Sequence, residues 1–241
     1  MIMKLDNKIK KLILQRLIFN PELSFSQLWD RSVESNKFTY HLKTMLKDGL
    51  IIKKGDKYSL TKKGIDFVTY VDSSKIELTK QPLVVVFCLV RRGDEILVHK
   101  RLKEPFYGYC GVPSGKVSFG DTFIEAAKKE LEEETGFKTN GGRLISIESI
   151  RTFDKKTKEL IHHHLGFTFE FTGFEGDLIK KTKEGENFWY DISKLKQLNI
   201  YPDMMNLIEA SNDSKLKILK IDRYQDGLKM ENVTIFDYAF R

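Results

Sequence analysis

Apolar residues in the first third of the chain recur at helical spacing. They predict a first helix over residues 4–19 and a short second helix capped by Ser24. A third helix is expected to begin with Ser35 as its N-cap and to end at Gly49. The pattern therefore predicts three helices before the first strand.

Residues 50–60 read LIIKKGDKYSL, two short segments on either side of Gly55 and Asp56, and this predicts a β-hairpin. A further short helix is expected to end near Val71. The polar residues that follow are typical of a linker, which we place at residues 76–82. The chain is thus expected to divide into two domains, residues 1–75 and 83–241.

The second domain mixes strand and helix patterns. A hairpin is expected from residues 83–90 and 95–100, followed by an amphipathic helix that ends at Gly136. Further strands are expected at 143–153, 160–171 and 187–190, helices at 192–198 and 202–210, and two C-terminal strands around Asp226 and Gly227. The pattern leaves open whether those last strands pair within the domain or with a partner. The fold class is therefore α+β, with a C-terminal β extension.

The positive charge is concentrated at the beginning of the chain. Of the formal net charge of +7, residues 1–80 carry all of it, with 16 Lys+Arg against 9 Asp+Glu, whereas residues 81–241 hold 25 of each. This asymmetry supports two domains and indicates that the first faces a polyanion.

The order helix, helix, helix, basic hairpin, helix over residues 5–72 resembles the winged helix-turn-helix of bacterial and archaeal regulators. The resemblance implies that the third helix enters the DNA major groove, and paired half-sites are compatible with a homodimer. The alternative is a protein-interaction or dimerisation module with a lysine-rich solvated surface. Candidate DNA contacts are outward residues of the third helix and lysines near the hairpin tip: Asn36, Lys37, Thr39, Tyr40, Lys43, Lys54 and Lys57.

The amphipathic helix of the second domain carries an unusual cluster of acidic residues. Glu130, Glu133 and Glu134 stand at i, i+3 and i+4, so three carboxylates share one face. Each like-charged pair costs roughly 0.2–0.5 kcal/mol, and anions in the last turn oppose the helix dipole. Hard cations such as Mg²⁺ or Mn²⁺ would compensate, because they prefer carboxylate oxygen.

A solvated acidic face is the alternative interpretation of this helix. In that case Lys128 and Lys129 would pair with Glu132 and Glu133 four residues on, and the helix would simply face water.

The spacing of these glutamates resembles the Nudix box over a domain of about residues 82–212. Two positions depart conservatively from the motif: Asp121 replaces Glu and Lys129 replaces Arg. The resemblance implies an α/β/α sandwich with a mixed sheet, which hydrolyses a nucleoside diphosphate linked to another moiety with Mg²⁺ or Mn²⁺. The matching residues are Gly115, Glu130, Leu131, Glu133, Glu134, Gly136 and Phe137.

The resemblance also implies roles for individual residues. The metal ligands would be the Ser114 backbone carbonyl and the three box glutamates, with Glu130 as the candidate base and a further carboxylate from Glu184 or Glu186. Lys129 lacks the planar bidentate fork of arginine, which predicts real but slow turnover. Arg101 and Lys103 are candidate contacts for substrate phosphates, with plain surface charge as the alternative.

Two remaining features restrict the function classes. In a strand, His162 and His164 share a face that His163 does not, so the three histidines are not expected to form a zinc site. The two cysteines form no disulfide framework or metal motif, and no apolar run approaches the ~20 residues of a membrane span. The sequence therefore predicts a cytoplasmic protein without membrane partners.

Overall fold

The computed structural model describes residues 7–69, 80–227 and 229–237. The chain forms two compact units, Met1–Lys80 and Gln81–Arg241. Most of the predicted linker, the start of the first predicted helix and the predicted helix end at Val71 lie outside the described residues. Among the helices of the described part, none has the length and apolar character needed to cross a membrane.

The N-terminal unit contains its helices and hairpin in the predicted order, but a two-residue strand that the pattern missed lies between the first two helices. The elements are α1 (Lys8–Phe19), β1 (Leu23–Ser24), α2 (Phe25–Leu28), α3 (Ser35–Lys47), β2 (Ile51–Lys54), β3 (Lys57–Leu60) and α4 (Lys62–Thr69). Its antiparallel sheet has the order β1-β3-β2, and buried side chains from α1, α2 and α3 meet in one core. The prediction of Ser35 as the N-cap of α3 is wrong, because Ser35 is the first residue of the helix. The N-cap is Glu34, whose side chain makes no capping hydrogen bond.

The second unit is built on one mixed sheet. Its strands are β4 (Leu83–Arg92), β5 (Glu95–Arg101), β6 (Cys110–Gly111), β7 (Ser114–Lys116), β8 (Arg143–Asp154), β9 (Leu160–Phe171), β10 (Gly185–Asp191), β11 (Lys217–Asp226) and β12 (Lys229–Asp237). Its helices are α5 (Phe123–Thr135), a 3-10 helix (Ile192–Gln197) and α6 (Met204–Ser211). The strand order is β10-β5-β4-β9-β8-β11-β12, with β6 beside β5 and β7 beside β4.

The predicted hairpin of β4 and β5 is only partly correct. The two strands pair only beside their turn, where Arg91 faces Ile96 and Arg92 faces Glu95. Beyond the turn, β4 runs parallel to β9, and β5 pairs with β10. Local alternation identifies strands but does not determine which distant strand becomes the partner.

The C-terminal strands pair within the unit. β11 lies parallel to β8 and antiparallel to β12, so the hairpin extends the sheet at one edge. This answers the question that the sequence pattern left open.

Helices cover the sheet on two sides and create two cores. Ala127 and Leu131 of α5 pack in one core with Val86 and Cys88 of β4. Leu89 of β4 packs in the other core, with the 3-10 helix and α6. Since Leu89 follows Cys88 directly, the alternation of side chains along β4 supplies both layers.

Candidate active site

The helix that carries the carboxylates is closed by clear signals at both ends. Thr122 and Glu125 form a capping box, in which Glu125 N–H donates to the Thr122 side chain and Thr122 N–H donates to the Glu125 carboxylate. At the other end Gly136 adopts a left-handed conformation with φ 79°. A Cβ at Gly136 would lie 2.6 Å from the Asp177 carbonyl oxygen, so the close approach also requires glycine.

Strand β7 brings the backbone preceding α5 against its carboxylates. Ser114 N–H donates to Glu134 Oε2 at 3.2 Å. A side chain at Gly115 would overlap the Glu130 carboxylate. Gly115 therefore leaves space for the Glu130 carboxylate against the main chain of β7.

The three predicted carboxylates differ in burial. Glu134 is only 8% exposed, Glu130 is half-buried and Glu133 is exposed. Burial, followed by the negative charges of Glu134 and Glu133, raises the pKa of Glu130 to about 7. Burial also raises the pKa of Glu134 to about 7, although the Ser114 N–H works in the opposite direction. The site thus holds two acidic groups that titrate near neutrality.

Glu184 is the candidate extra carboxylate that lies close to this pair. Its negative charge contributes to the raised pKa of both Glu130 and Glu134, and its own side chain accepts a hydrogen bond from Lys103. That bond lowers the pKa of Glu184. Glu186, the other candidate, forms an exposed ion pair instead, with its Oε1 2.9 Å from Lys181 Nζ.

The two predicted phosphate contacts have different surroundings. Lys103 acts electrostatically on both buried glutamates. Arg101 instead donates to backbone carbonyls, with its Nε 2.7 Å from the Pro105 oxygen and 3.1 Å from that of Lys103. The Arg101 guanidinium therefore organises the loop that carries Lys103, and its direct contact with substrate stays a prediction.

The alternative of paired charges along α5 is wrong for both of its pairs. Lys128 donates to the Asn140 carbonyl oxygen at 2.8 Å, and Glu132 pairs with Lys138 at 3.2 Å. Lys129 is exposed, and no carboxylate of the described residues lies within ion-pair distance of its ammonium group. The family resemblance implies that Lys129, at the position of the box arginine, orients a catalytic carboxylate, and this role stays a prediction.

Sequence patterns missed His99 of β5 and Asn187 of β10, which lie beside this site. His99 Nδ1 is 2.8 Å from Asn187 Oδ1 and 3.8 Å from Glu134 Oε2. Burial lowers the pKa of His99. Neither residue carries a local signal, because each belongs to an ordinary strand that reaches α5 only through the sheet.

The donors at this site fit a hard divalent cation. Glu130 and Glu134 are two partly desolvated carboxylates in contact, and oxygen ligands of this type suit Mg²⁺ and Mn²⁺. In the described ranges 7–69, 80–227 and 229–237, no three acidic, His or Cys side chains are already arranged as a metal cluster. The exposed Glu133 would therefore have to join the buried pair to complete a three-carboxylate ligand set.

The three consecutive histidines do not converge, as predicted. The rings of His162 and His164 are 6.2 Å apart, whereas His163 contacts Ser149 through Nε2 at 3.1 Å. Burial, followed by the charge of Arg223, lowers the pKa of His164 to about 4.

The candidate DNA contacts of the N-terminal unit lie mostly in solvent. Phe38, Leu42 and Met45 of α3 are buried in the core, so the opposite face of the helix is turned outward. Thr39 is half-buried, and the exposed candidates are Asn36, Lys37, Tyr40, Lys43, Lys54 and Lys57.

Several known proteins are similar to this chain. An ADP-ribose pyrophosphatase of Methanocaldococcus jannaschii is 28% identical over 127 residues, which is 53% of this chain and 72% of that protein. An NAD-capped RNA hydrolase NudC of Haemophilus influenzae is 40% identical over 74 residues, 30% of this chain and 24% of that protein. The crystal structure of a MutT protein from Bacillus halodurans matches the fold with a TM-score of 0.55 and 23% identity, covering 64% of this chain and 97% of that one.

The predicted resemblance of the second domain to the Nudix family is confirmed. The family model of the NUDIX domain matches residues 80–210, and this range contains α5, β7 and the carboxylates described above. Since the match covers more than half of the chain, the protein belongs to the NUDIX domain family of pyrophosphohydrolases.

Proposed function

We propose that this protein hydrolyses the pyrophosphate of an ADP-ribose-like nucleoside-diphosphate derivative with Mg²⁺ or Mn²⁺. The observation that carries the proposal is the contact between the buried Glu134 and the half-buried Glu130, whose pKa values are both raised to about 7. Perturbed groups of this kind concentrate at functional sites. The ADP-ribose pyrophosphatase among the relatives supports this substrate class.

The residues of the proposed site have separate roles in binding the cations and in proton transfer. Glu130, Glu133, Glu134 and the Ser114 carbonyl would hold the cations, with Glu184 as a further ligand. When bound, such ions lower the pKa of coordinated water and stabilise charge on phosphoryl oxygens. Glu130 is the proposed general base that accepts a proton from the attacking water, and without bound cations its pKa is raised to about 7.

Lys103 is the proposed contact for a substrate phosphate. Its ammonium group lies against Glu184 and acts on both buried carboxylates. Water adds across the phosphoanhydride, so the products are a nucleoside monophosphate and a phosphorylated leaving group.

A panel of ADP-ribose, nucleotide sugars and dinucleotides tests the proposal. Purified protein with Mg²⁺ or Mn²⁺ should release AMP from the ADP-ribose-like compounds, as measured by chromatography. No product from any compound, with either metal, would refute the hydrolytic function.

We also propose that the N-terminal unit binds DNA as a winged helix-turn-helix. The supporting observation is the outward face of α3, where Lys37, Tyr40 and Lys43 are exposed.

Binding of duplex DNA should weaken steeply with salt, since each neutralised phosphate releases counterions. Fluorescence anisotropy of Lys37→Ala should show a slope reduced by about one unit, whereas Lys8→Ala, an exposed lysine on α1, serves as the control. Binding that is absent or insensitive to salt would favour a protein-docking module.

A regulator whose Nudix domain senses a nucleotide is the second candidate function. The concentration of positive charge in residues 1–80 and the departure at Lys129 favour it. ADP-ribose should then change the affinity for DNA, and an unchanged affinity would remove the coupling. The homodimer and the cytoplasmic location stay predictions.

A further inference from the structure

Asn187 and His99 form a buried pair beside the carboxylate helix. They are direct partners on the antiparallel strands β10 and β5, and both side chains are almost fully buried. Neither belongs to the motif that carries the metal-binding glutamates. Buried polar groups of this kind need an explanation, because their desolvation is costly unless every hydrogen bond is made.

The orientation of the Asn187 amide is determined by two backbone carbonyls. Its Nδ2 donates to the Glu134 oxygen at 2.7 Å and to the Ile179 oxygen at 2.8 Å. Only the nitrogen of the amide can serve two acceptors, so the oxygen must point toward His99. Asn187 therefore connects the last turn of α5 to the neighbouring strand.

The Asn187 oxygen in turn determines the tautomer of His99. Asn187 Oδ1 can only accept, so the hydrogen of the neutral imidazole must lie on Nδ1, 2.8 Å away. The same nitrogen faces Glu134 Oε2 at 3.8 Å. A side chain at Gly185 would overlap the His99 ring near Nε2, so glycine lets the ring occupy this place.

We infer that Asn187 and His99 are positioning residues, which hold Glu134 in place for pyrophosphate hydrolysis. Asn187 holds the main chain of Glu134, and His99 Nδ1–H donates to Asn187 Oδ1 and so holds that amide in place. Ser114 N–H donates to the Glu134 carboxylate itself. The inference rests on the proposed function, because that reaction is what the positioning serves. Partners that orient ligating side chains in this way affect metal affinity and activity about 10- to 100-fold.

Two conservative substitutions of His99 provide the sharpest test. His99→Asn places an amide N–H where the imidazole has Nδ1, whereas His99→Gln places it closer to Nε2. We expect His99→Asn to retain most of kcat, and His99→Gln and Asn187→Ala to lose about 10- to 100-fold with KM changed less than about twofold. Tyr190→Phe is the matched control, since it removes a different side-chain hydrogen bond from β10.

Equal kcat for His99→Asn and His99→Gln, or an unchanged kcat for Asn187→Ala, would overturn the inference. Melting temperatures of all variants identify any general loss of folding. A purely structural role predicts that kcat follows the melting temperature, whereas positioning predicts a loss of kcat in variants that remain folded at the assay temperature.

Two further measurements do not depend on turnover. Calorimetric titration with Mn²⁺ should show an affinity lowered about 10-fold or more in Asn187→Ala and unchanged in Tyr190→Phe. The ¹⁵N spectrum of the metal-free wild type should show His99 protonated on Nδ1. If the wild-type protein hydrolysed nothing, the proposed function alone would be refuted. Equal Mn²⁺ affinities of wild type and Asn187→Ala, or a proton on Nε2 of His99, would overturn the positioning inference.

Discussion

Two buried acidic sites of the second unit are built in opposite ways. Asp203 lies against Arg223, whose Nε donates to Asp203 Oδ1 at 2.7 Å and whose Nη2 donates to Oδ2 at 2.6 Å. Glu130 and Glu134 instead lie against each other, with Glu184 adding a third negative charge. One site has a matched cation and the other accumulates negative charge.

This difference separates a structural pair from a chemical site. A bidentate pair between arginine and a carboxylate satisfies both charges and connects β11 to the start of α6. The glutamate pair opposes folding whenever both groups are ionised, since neither has a buried cation of its own. Proteins keep such local conflicts where function requires them.

Removal of one glutamate should have the largest effect. Glu134→Gln keeps the shape but removes a metal-binding charge, so kcat should fall by about 10³-fold while the melting temperature of the metal-free protein rises. Steady-state kinetics and thermal melts measure both. Glu132→Gln, on an exposed residue of the same helix, is the control, and wild-type turnover by Glu134→Gln would contradict the assigned role.

Removal of the cation from the matched pair should act on stability. Arg223→Met leaves Asp203 buried without its partner and should lower the free energy of unfolding by about 3–5 kcal/mol. Urea denaturation measures this change. The double variant Asp203→Asn with Arg223→Met should recover part of the loss, and a single variant as stable as the wild type would show that Asp203 finds another partner.

The stability of the metal-free protein should depend on pH through Glu134. The pKa of Glu134 rises from 4.5 to about 7 on folding, so its stabilising contribution is complete below pH 4.5 and is lost as the pH rises to 7. The loss approaches about 3 kcal/mol. His164, whose pKa falls from 6.5 to about 4, acts in the opposite direction and destabilises the fold as the pH falls through this range.

The difference between wild type and Glu134→Gln isolates the carboxyl from the histidine. Unfolding free energies measured at several pH values without metal should show the variant gaining on the wild type between pH 4.5 and 7. A constant difference across this range would contradict the raised pKa of Glu134.

The smallest expected effect concerns Lys129. Arginine at this position restores a planar fork that can bind a carboxylate in two places, so Lys129→Arg should raise kcat by a few-fold at most, or less than about 1 kcal/mol. Lys128→Arg is the matched control, because Lys128 is already held by the Asn140 carbonyl. A lower kcat for Lys129→Arg would show that the compact ammonium group of lysine is preferred at this position over a planar guanidinium.

Local patterns predicted many of the elements. The strand over 160–171 and the C-terminal turn at Asp226 and Gly227 agree with the structure, because alternation and turn residues act over a few positions. The two-residue strand β6 and the three-residue strand β7 were missed, since such short segments carry no periodicity. β7 nevertheless brings Ser114 to Glu134.

The sequence by itself determined the carboxylate helix, its C-terminal cap Gly136 and the candidate ligands, because helical spacing places Glu130, Glu133 and Glu134 on one face. Only the tertiary structure decided which of them are buried, and that burial raises two pKa values toward neutrality. It also brought His99 and Asn187, separated by 88 residues, to the end of this helix. Desolvation and contacts between distant strands depend on the packed sheet, so no local pattern contains them.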